Sequence, residues 1–180
     1  MCMKYLIMPI IIFFLSCSQN KKDNTLKTFI KVSFYKGAID TSIPINCKKI
    51  GIGNIGSVKD TIIKNGKTIE QIIEQIIISK NSKEIKEQMC DMRIKCVIYR
   101  QNDDTTNLCL GENNCLMIND KTINPNNSLS YLIKSNIGYY NYFPKEDLKY
   151  FDELKGKDIS ENYMDLRRKK PSNGIPLPPN

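Results

Sequence analysis

Apolar and polar residues alternate with two different periods along the chain, and the switches between them mark out its elements. Ile30, Val32 and Phe34 alternate with Lys31, Ser33 and Tyr35, the period of two of a half-buried strand, and Gly37 ends it. Ser42 to Cys47 reads as a second strand, and Val58 to Lys64 as a third, closed by the Asn65-Gly66 turn pair. The period then changes. Thr68-Ile69-Glu70-Gln71 has the form of a capping box, and Ile69, Ile72, Ile73, Ile76 and Ile77 share one face of a helix ending near Lys80. The polar stretch from Asn81 to Gln88 reads as a linker, with a continued helix that turns Ile85 inward as the alternative. Met92, Ile94, Cys96 and Ile98 restore the period of two. Turn residues at Gln101-Asn102-Asp103-Asp104 and Gly111-Glu112-Asn113-Asn114 fold residues 91–119 into a three-stranded antiparallel meander. Ser128 is placed to cap a second helix carrying Leu129, Leu132 and Ile133, and Lys145 to Leu154 is a candidate short third.

Strands on either side of a helix, without βαβ alternation, predict an α+β fold. Its sheet is mostly antiparallel, of about five to six strands, with two helices on one face. Residues 28–154 form its single domain. A polar spacer over residues 17–27 precedes it, with Lys21, Lys22 and Lys27. Residues 155–180, with Arg167-Arg168-Lys169-Lys170 and Ile175-Pro176-Leu177-Pro178-Pro179, lack apolar periodicity and read as a disordered basic, proline-rich tail.

The first residues follow a different rule. Lys4 precedes an uncharged apolar run from Leu6 to Leu15 that stops at Ser16-Cys17-Ser18, the layout of a signal peptide over residues 1–16. Such a run rises only about 15 Å as a helix, half of a bilayer core of about 30 Å, and Pro9 interrupts it. The run Phe14-Leu15-Ser16-Cys17 resembles the lipobox of bacterial lipoproteins. The resemblance covers only the N-terminal residues. It implies cleavage after Ser16, lipidation at Cys17, and a protein held to the cell envelope, at the inner or outer membrane, by acyl chains.

Charge and composition narrow the rest. The net charge of +8 lies at the two ends of the chain, in residues 17–80 and 155–180, and lysine outnumbers arginine. That distribution suits a solvated surface, with no nucleic-acid partner, and the lysines near Cys17 can rest on anionic headgroups. The chain has no histidine, which removes Ser-His-Asp and Cys-His pairs and imidazole metal ligands. Gly51-Ile52-Gly53-Asn54-Ile55-Gly56 spells a dinucleotide fingerprint, but a β-like segment follows where a helix is required. No metal or other cofactor is therefore expected. Carboxylate chemistry survives, with Asp91 and Glu112 as the pair to test, since a glycosidase needs two carboxyls within about 5–9.5 Å.

Cys47, Cys90, Cys96, Cys109 and Cys115 lie in the mature chain, and five is odd, so at least one thiol has no intramolecular partner. Export permits disulfides. Cys90 and Cys96 are too far apart along one extended segment to join. A four-residue turn at 101–104 sets Arg100 against Thr105 and Cys96 against Cys109, while Cys109 and Cys115 can meet across the next turn, which makes Cys96, Cys109 and Cys115 the candidate disulfide cysteines. Buried thiols without a bridge, or a metal or redox site, are the alternatives.

The aromatic run Tyr139, Tyr140, Tyr142 and Phe143, with Tyr150 and Phe151 beyond it, is the candidate interface, the other reading being rings that close the core. The expectation overall is an envelope-anchored, non-enzymatic binding or interaction domain whose partner is a secreted or envelope protein. A structural or envelope-maintenance lipoprotein is the alternative, ahead of a carboxylate-based hydrolase.

Overall fold

The computed structural model describes residues 28–38, 43–52, 58–85, 89–100, 104–112, 114–159 and 163–166. The expected signal segment, Cys17, the expected spacer, the residues from Gly53 to Gly56 and the basic, proline-rich end of the chain lie outside the described residues.

Six strands form one antiparallel sheet: β1 (Phe29–Tyr35), β2 (Val58–Ile63), β3 (Met92–Tyr99), β4 (Thr105–Gly111), β5 (Leu116–Ile118) and β6 (Lys121–Ile123), in the order β2-β1-β3-β4-β5-β6. With helices α1 (Gly66–Lys80) and α2 (Asn127–Asn136) beside it, the fold is α+β. The period of two sorts the side chains. Ile30, Val32, Phe34, Ile94, Cys96, Ile98, Leu108, Leu110 and Leu116 bury one face under the helices, where Ile69, Ile72, Ile76, Leu129 and Ile133 meet them. On α1 the inward stripe runs through Ser79, whereas Ile77 stays outside, 57 % exposed.

Both helices start earlier than their serine or threonine signals suggest. The α1 cap is Asn65, whose side chain accepts from the Thr68 N–H at 3.0 Å, so Thr68 lies within the helix. The α2 cap is Asn126, accepting from Leu129 N–H at 3.0 Å, and Ser128 lies in its first turn. The same Asn126 amide donates to Ser79 Oγ at 2.8 Å, so one side chain caps α2 and ties it to the end of α1.

Other expectations are corrected by how backbone groups find partners. The strand expected over Ser42 to Cys47 is, over its described residues, a non-ladder segment entering a 3-10 turn at Cys47–Lys49. Ile45 donates to Asp91 Oδ1 at 2.8 Å and accepts from Met92 N–H at 2.9 Å, which satisfies it without a ladder. The segment lies across the sheet face opposite the helices, where Ile45, Cys47 and Ile50 cover Tyr35, Met92, Cys109 and Cys115. Residues 81–85 do not continue α1: Glu84 bridges Ile123 and Ile85 N–H donates to Thr122 at 2.9 Å, beside β6. β6 extends the meander by one hairpin, turned at Asn119 (φ 47°) and Asp120 (φ 64°), the residue types that tolerate left-handed backbone. The third helix expected over Lys145 to Leu154 is two 3-10 segments, Lys145–Tyr150 and Asp152–Leu154. Beyond Leu154, Ile159 and Tyr163 still pack against the core, and Tyr163 donates to the Phe143 carbonyl at 2.7 Å.

Candidate functional site

The β3–β4 hairpin decides the cysteines. Arg100 N–H reaches the Asp104 carbonyl at 3.2 Å and Tyr99 faces Thr105, so the turn is one residue shorter than the four expected. Cys96 therefore faces Leu108, and Lys95 faces Cys109. A slip of one residue exchanges the faces of a strand. Cys96 is buried under the helices as a free thiol, and burial pushes it well above the ordinary thiol range. On the other face the pairs are Cys47–Cys109 and Cys90–Cys115, each with Cα atoms 5.9 Å apart, a separation that a bridge spans without distortion of the backbone. Neither the Cys96–Cys109 nor the Cys109–Cys115 pairing forms.

The aromatic run closes the core and at the same time walls a cavity. After α2, Gly138 turns the chain with φ 65° into a 3-10 turn at Tyr139–Tyr142. Tyr139, Tyr140 and Phe143 are buried and Tyr142 is half-buried, its hydroxyl accepting from Lys59 Nζ at 3.0 Å. The 3-10 segments that follow bring Phe151 back, its ring centroid 5.0 Å from Phe143 and 6.3 Å from Tyr139.

They also bring Glu153 to α2. Lys134, on the flank of α2 beside Ser130 and Ile133, has its Nζ 2.5 Å from Glu153 Oε1, and the two side chains are 3 % and 0 % exposed. Tyr140 Oη donates to the same oxygen at 3.2 Å, while Glu153 Oε2 has no hydrogen-bond partner among the described residues. The ammonium sits over two rings, 5.1 Å from the Phe151 centroid and 5.6 Å from that of Tyr139. Burial lowers the Lys134 pKa below its ordinary value, with the Glu153 charge acting against that shift. Burial raises both tyrosines, with Glu112 adding to the rise at Tyr139 and Glu153 at Tyr140.

A second buried charge lies nearby. Arg93, 3 % exposed, pairs through Nη2 with Asp91 Oδ2 at 2.5 Å and through Nε with Glu112 Oε1 at 3.0 Å. Strand β3 has an irregular register between Met92 and Ile94, which is where Arg93 turns inward. Gly111 permits the approach of the β4 end: a Cβ there would lie 2.8 Å from the Asp91 carbonyl oxygen. Asp91 and Glu112 thus meet at one guanidinium, each giving it an oxygen, rather than facing each other across an open cleft.

A cavity of about 390 Å³ joins these groups. Tyr139, Phe143, Tyr150 and Phe151 wall it, Lys134 stands at its side, and Glu112 and Asp147 complete its polar lining. The charges around it, Asp91, Glu112, Asp147 and Glu153 against Arg93 and Lys134, leave two negative charges in excess on a chain of net charge +8, with Lys149 outside over the Tyr150 ring at 4.9 Å. Lys134, Glu153 and Arg93 carry no signature in the sequence: each is a single charge beside an apolar pattern, and only the chain's return at Glu153 and the β3 irregularity bury them.

Among the described residues no group of three or more cysteine or acidic side chains is placed to hold a metal, and no helix is long and apolar enough to cross a membrane. No family model matches the chain, and neither a curated protein nor a solved structure matches it.

Proposed function

We propose that this chain is an envelope-anchored lipoprotein, lipidated at Cys17, whose domain acts as a non-enzymatic binding module. The observation that carries the binding reading is the cavity beside Lys134 and Glu153. Its walls are aromatic and its polar groups are few, and such a mixture buries an apolar body while orienting one charged group. The Lys134 charge is already cancelled by Glu153 behind it, and Arg93 offsets only one of the two carboxylates it holds, Asp91 and Glu112, so the excess negative charge at the mouth comes from that group and from Asp147. That favours a ligand group joining an ammonium to an apolar stem, as a lysine side chain of an envelope or secreted protein does. The acyl chains on Cys17 would hold this module where such a partner passes.

Titration of the protein with benzylammonium and with hexanoate, followed by ring-proton shifts, tests the ligand class. Benzylammonium moves the Tyr139, Phe143 and Phe151 signals, hexanoate does not, and Glu112→Gln with Asp147→Asn weakens binding about tenfold, or about 1.4 kcal/mol. Equal response to both probes, or none to either, rejects the cavity as a cation site. Incorporation of palmitate that is lost in Cys17→Ala tests the anchor separately.

A further inference from the structure

The sheet face turned away from α1 and α2 is covered over only part of its area. The cover is residues 43–52, stapled down by Cys47–Cys109, and it shields Tyr35, Met92 and Cys109. Beyond it, Phe29, Lys31, Ile62, Val97, Tyr99 and Asn107 stay partly or fully open to solvent. The register places all six on this side, since Lys31 faces both Ile62 and Val97, Phe29 faces Tyr99, and Val97 faces Asn107.

The exposed large apolar side chains concentrate here. Five of the nine among the described residues belong to this face or to the segments laid over it: Ile43 (76 % exposed), Ile52 (68 %), Ile62 (48 %), Met89 (85 %) and Tyr99 (36 %). Met89 also lines a shallow cleft of about 240 Å³ with Pro44, Met92 and Met117. Lys31 and Lys49 stand exposed among them, and Lys48 is balanced by Asp120 at 3.3 Å. Apolar residues scattered over two strands and the loops beside them, with lysines between them, are suited to a boundary between water and acyl chains rather than to a dry protein interface.

The origin of the domain selects the occupant. β1 begins on this face with Phe29, whose ring stacks on Tyr99 with centroids 4.7 Å apart. Cys17 lies twelve positions earlier in the sequence, so an acyl group there cannot be more than about 40 Å of chain away. From this we infer that the face bearing Ile43, Ile52, Ile62, Met89 and Tyr99 docks on the lipid surface, leaving the helix side and the aromatic cavity turned outward. The inference rests on the lipidation reading for its geometry, and the lysines favour an anionic leaflet.

The test uses the full-length gene product purified from bacterial membranes, with the mass of its N-terminal peptide showing whether Cys17 carries lipid. The protein is reconstituted into vesicles of phosphatidylcholine and phosphatidylglycerol containing a lipid with a photoactivatable acyl chain, and adducts are mapped by peptide mass. Adducts on the peptides holding Ile43, Ile52, Met89 and Tyr99, at least fivefold above those holding Ile77, Ile78 and Tyr150, are the expected result. Replacing Ile43 and Ile52 by serine lowers adduct yield at Met89 and Tyr99 while circular dichroism stays unchanged. An even spread of adducts, adducts on the helix side, or protein-to-protein crosslinks through the same residues overturns the inference. A Cys17 peptide without lipid instead counts against the anchor, and the same labelling with added vesicles then judges the face alone.

Discussion

The Glu153 side chain is 0 % exposed and that of Lys134 3 %, which makes this pair a sensitive point in the domain. Taking one charge of such a buried pair away leaves the other uncompensated, at a cost of about 3–5 kcal/mol, whereas replacing both by apolar groups is often neutral. Glu153→Gln is therefore expected to lose that amount at neutral pH, and Lys134→Met with Glu153→Leu to regain most of it. The pH dependence follows from the direction of the Lys134 shift. Its folded pKa lies below the ordinary 10.5 because of burial, so between the two values the unfolded chain binds more protons and stability rises with pH. In Glu153→Gln the opposing charge is gone, so the Lys134 pKa falls further and the rise begins at a lower pH. Tyr139 and Tyr140 act oppositely, since their raised folded pKa values make stability fall above the ordinary value of 10.0. Urea unfolding at about pH 7 and pH 9 stays below the tyrosine range, and the gap between Glu153→Gln and wild type should narrow between them; a gap that widens, or a double variant as weak as the single one, refutes the account. None of this was legible in the sequence, where Lys134 follows Ile133 like any surface lysine and Glu153 belongs to an acidic pair that reads as solvated charge.

Among the elements, strands with strict alternation were readable because burial on one face fixes their phase, as Ile30, Val32 and Phe34 show. Boundaries set by side-chain chemistry were less so. Asparagine, serine and threonine all cap helices, and Asn65 and Asn126 win here because each stands at the position whose oxygen reaches the third residue onward. The segment around Ile45 has apolar alternation without being a strand, because its polar groups are met singly by Asp91 and Met92. Asn126 supplies the sharper test, since its two atoms do different work. Asn126→Asp keeps the oxygen that caps α2 but loses the amide that donates to Ser79, while Asn126→Ala loses both. The alanine variant is expected to cost about 2 kcal/mol, the cap giving about 1 kcal/mol and the half-buried hydrogen bond to Ser79 a similar amount. The aspartate variant should fall between it and wild type in denaturant midpoint at unchanged slope; equal loss in both would mean that the cap contributes nothing.

At the scale of the whole molecule the two faces of the sheet are stabilised by different means. The helix side is a continuous apolar core, whereas the opposite side depends on a short segment that has no ladder and is fixed by Cys47–Cys109, with Cys90–Cys115 closing the end of the sheet beside it. These bridges join residues 62 and 25 positions apart, for which loss of chain entropy in the unfolded state corresponds to about 4 and about 3.5 kcal/mol. Reduction should therefore act unequally. Residues 43–52 should gain rapid amide exchange and expose Tyr35 and Met92 to an apolar dye, while α1, α2 and the amides that β1 and β3 pair with their neighbouring strands stay protected until the domain unfolds as a whole. The thiol count reports the same arrangement. Of the five cysteines beyond Cys17, none should be alkylated in the native oxidised protein, one after denaturation, and all five after denaturation and reduction, the single one being Cys96. Protein made without residues 1–16 and kept in a reducing cytosol should show the fast exchange from the start, because without a covalent link the cover rests on the packing of Ile45, Cys47 and Ile50 and on the two hydrogen bonds of Ile45. Were that protein as protected over residues 43–52 as protein whose bridges have formed, the bridges would be incidental to the fold and to the shape of this face.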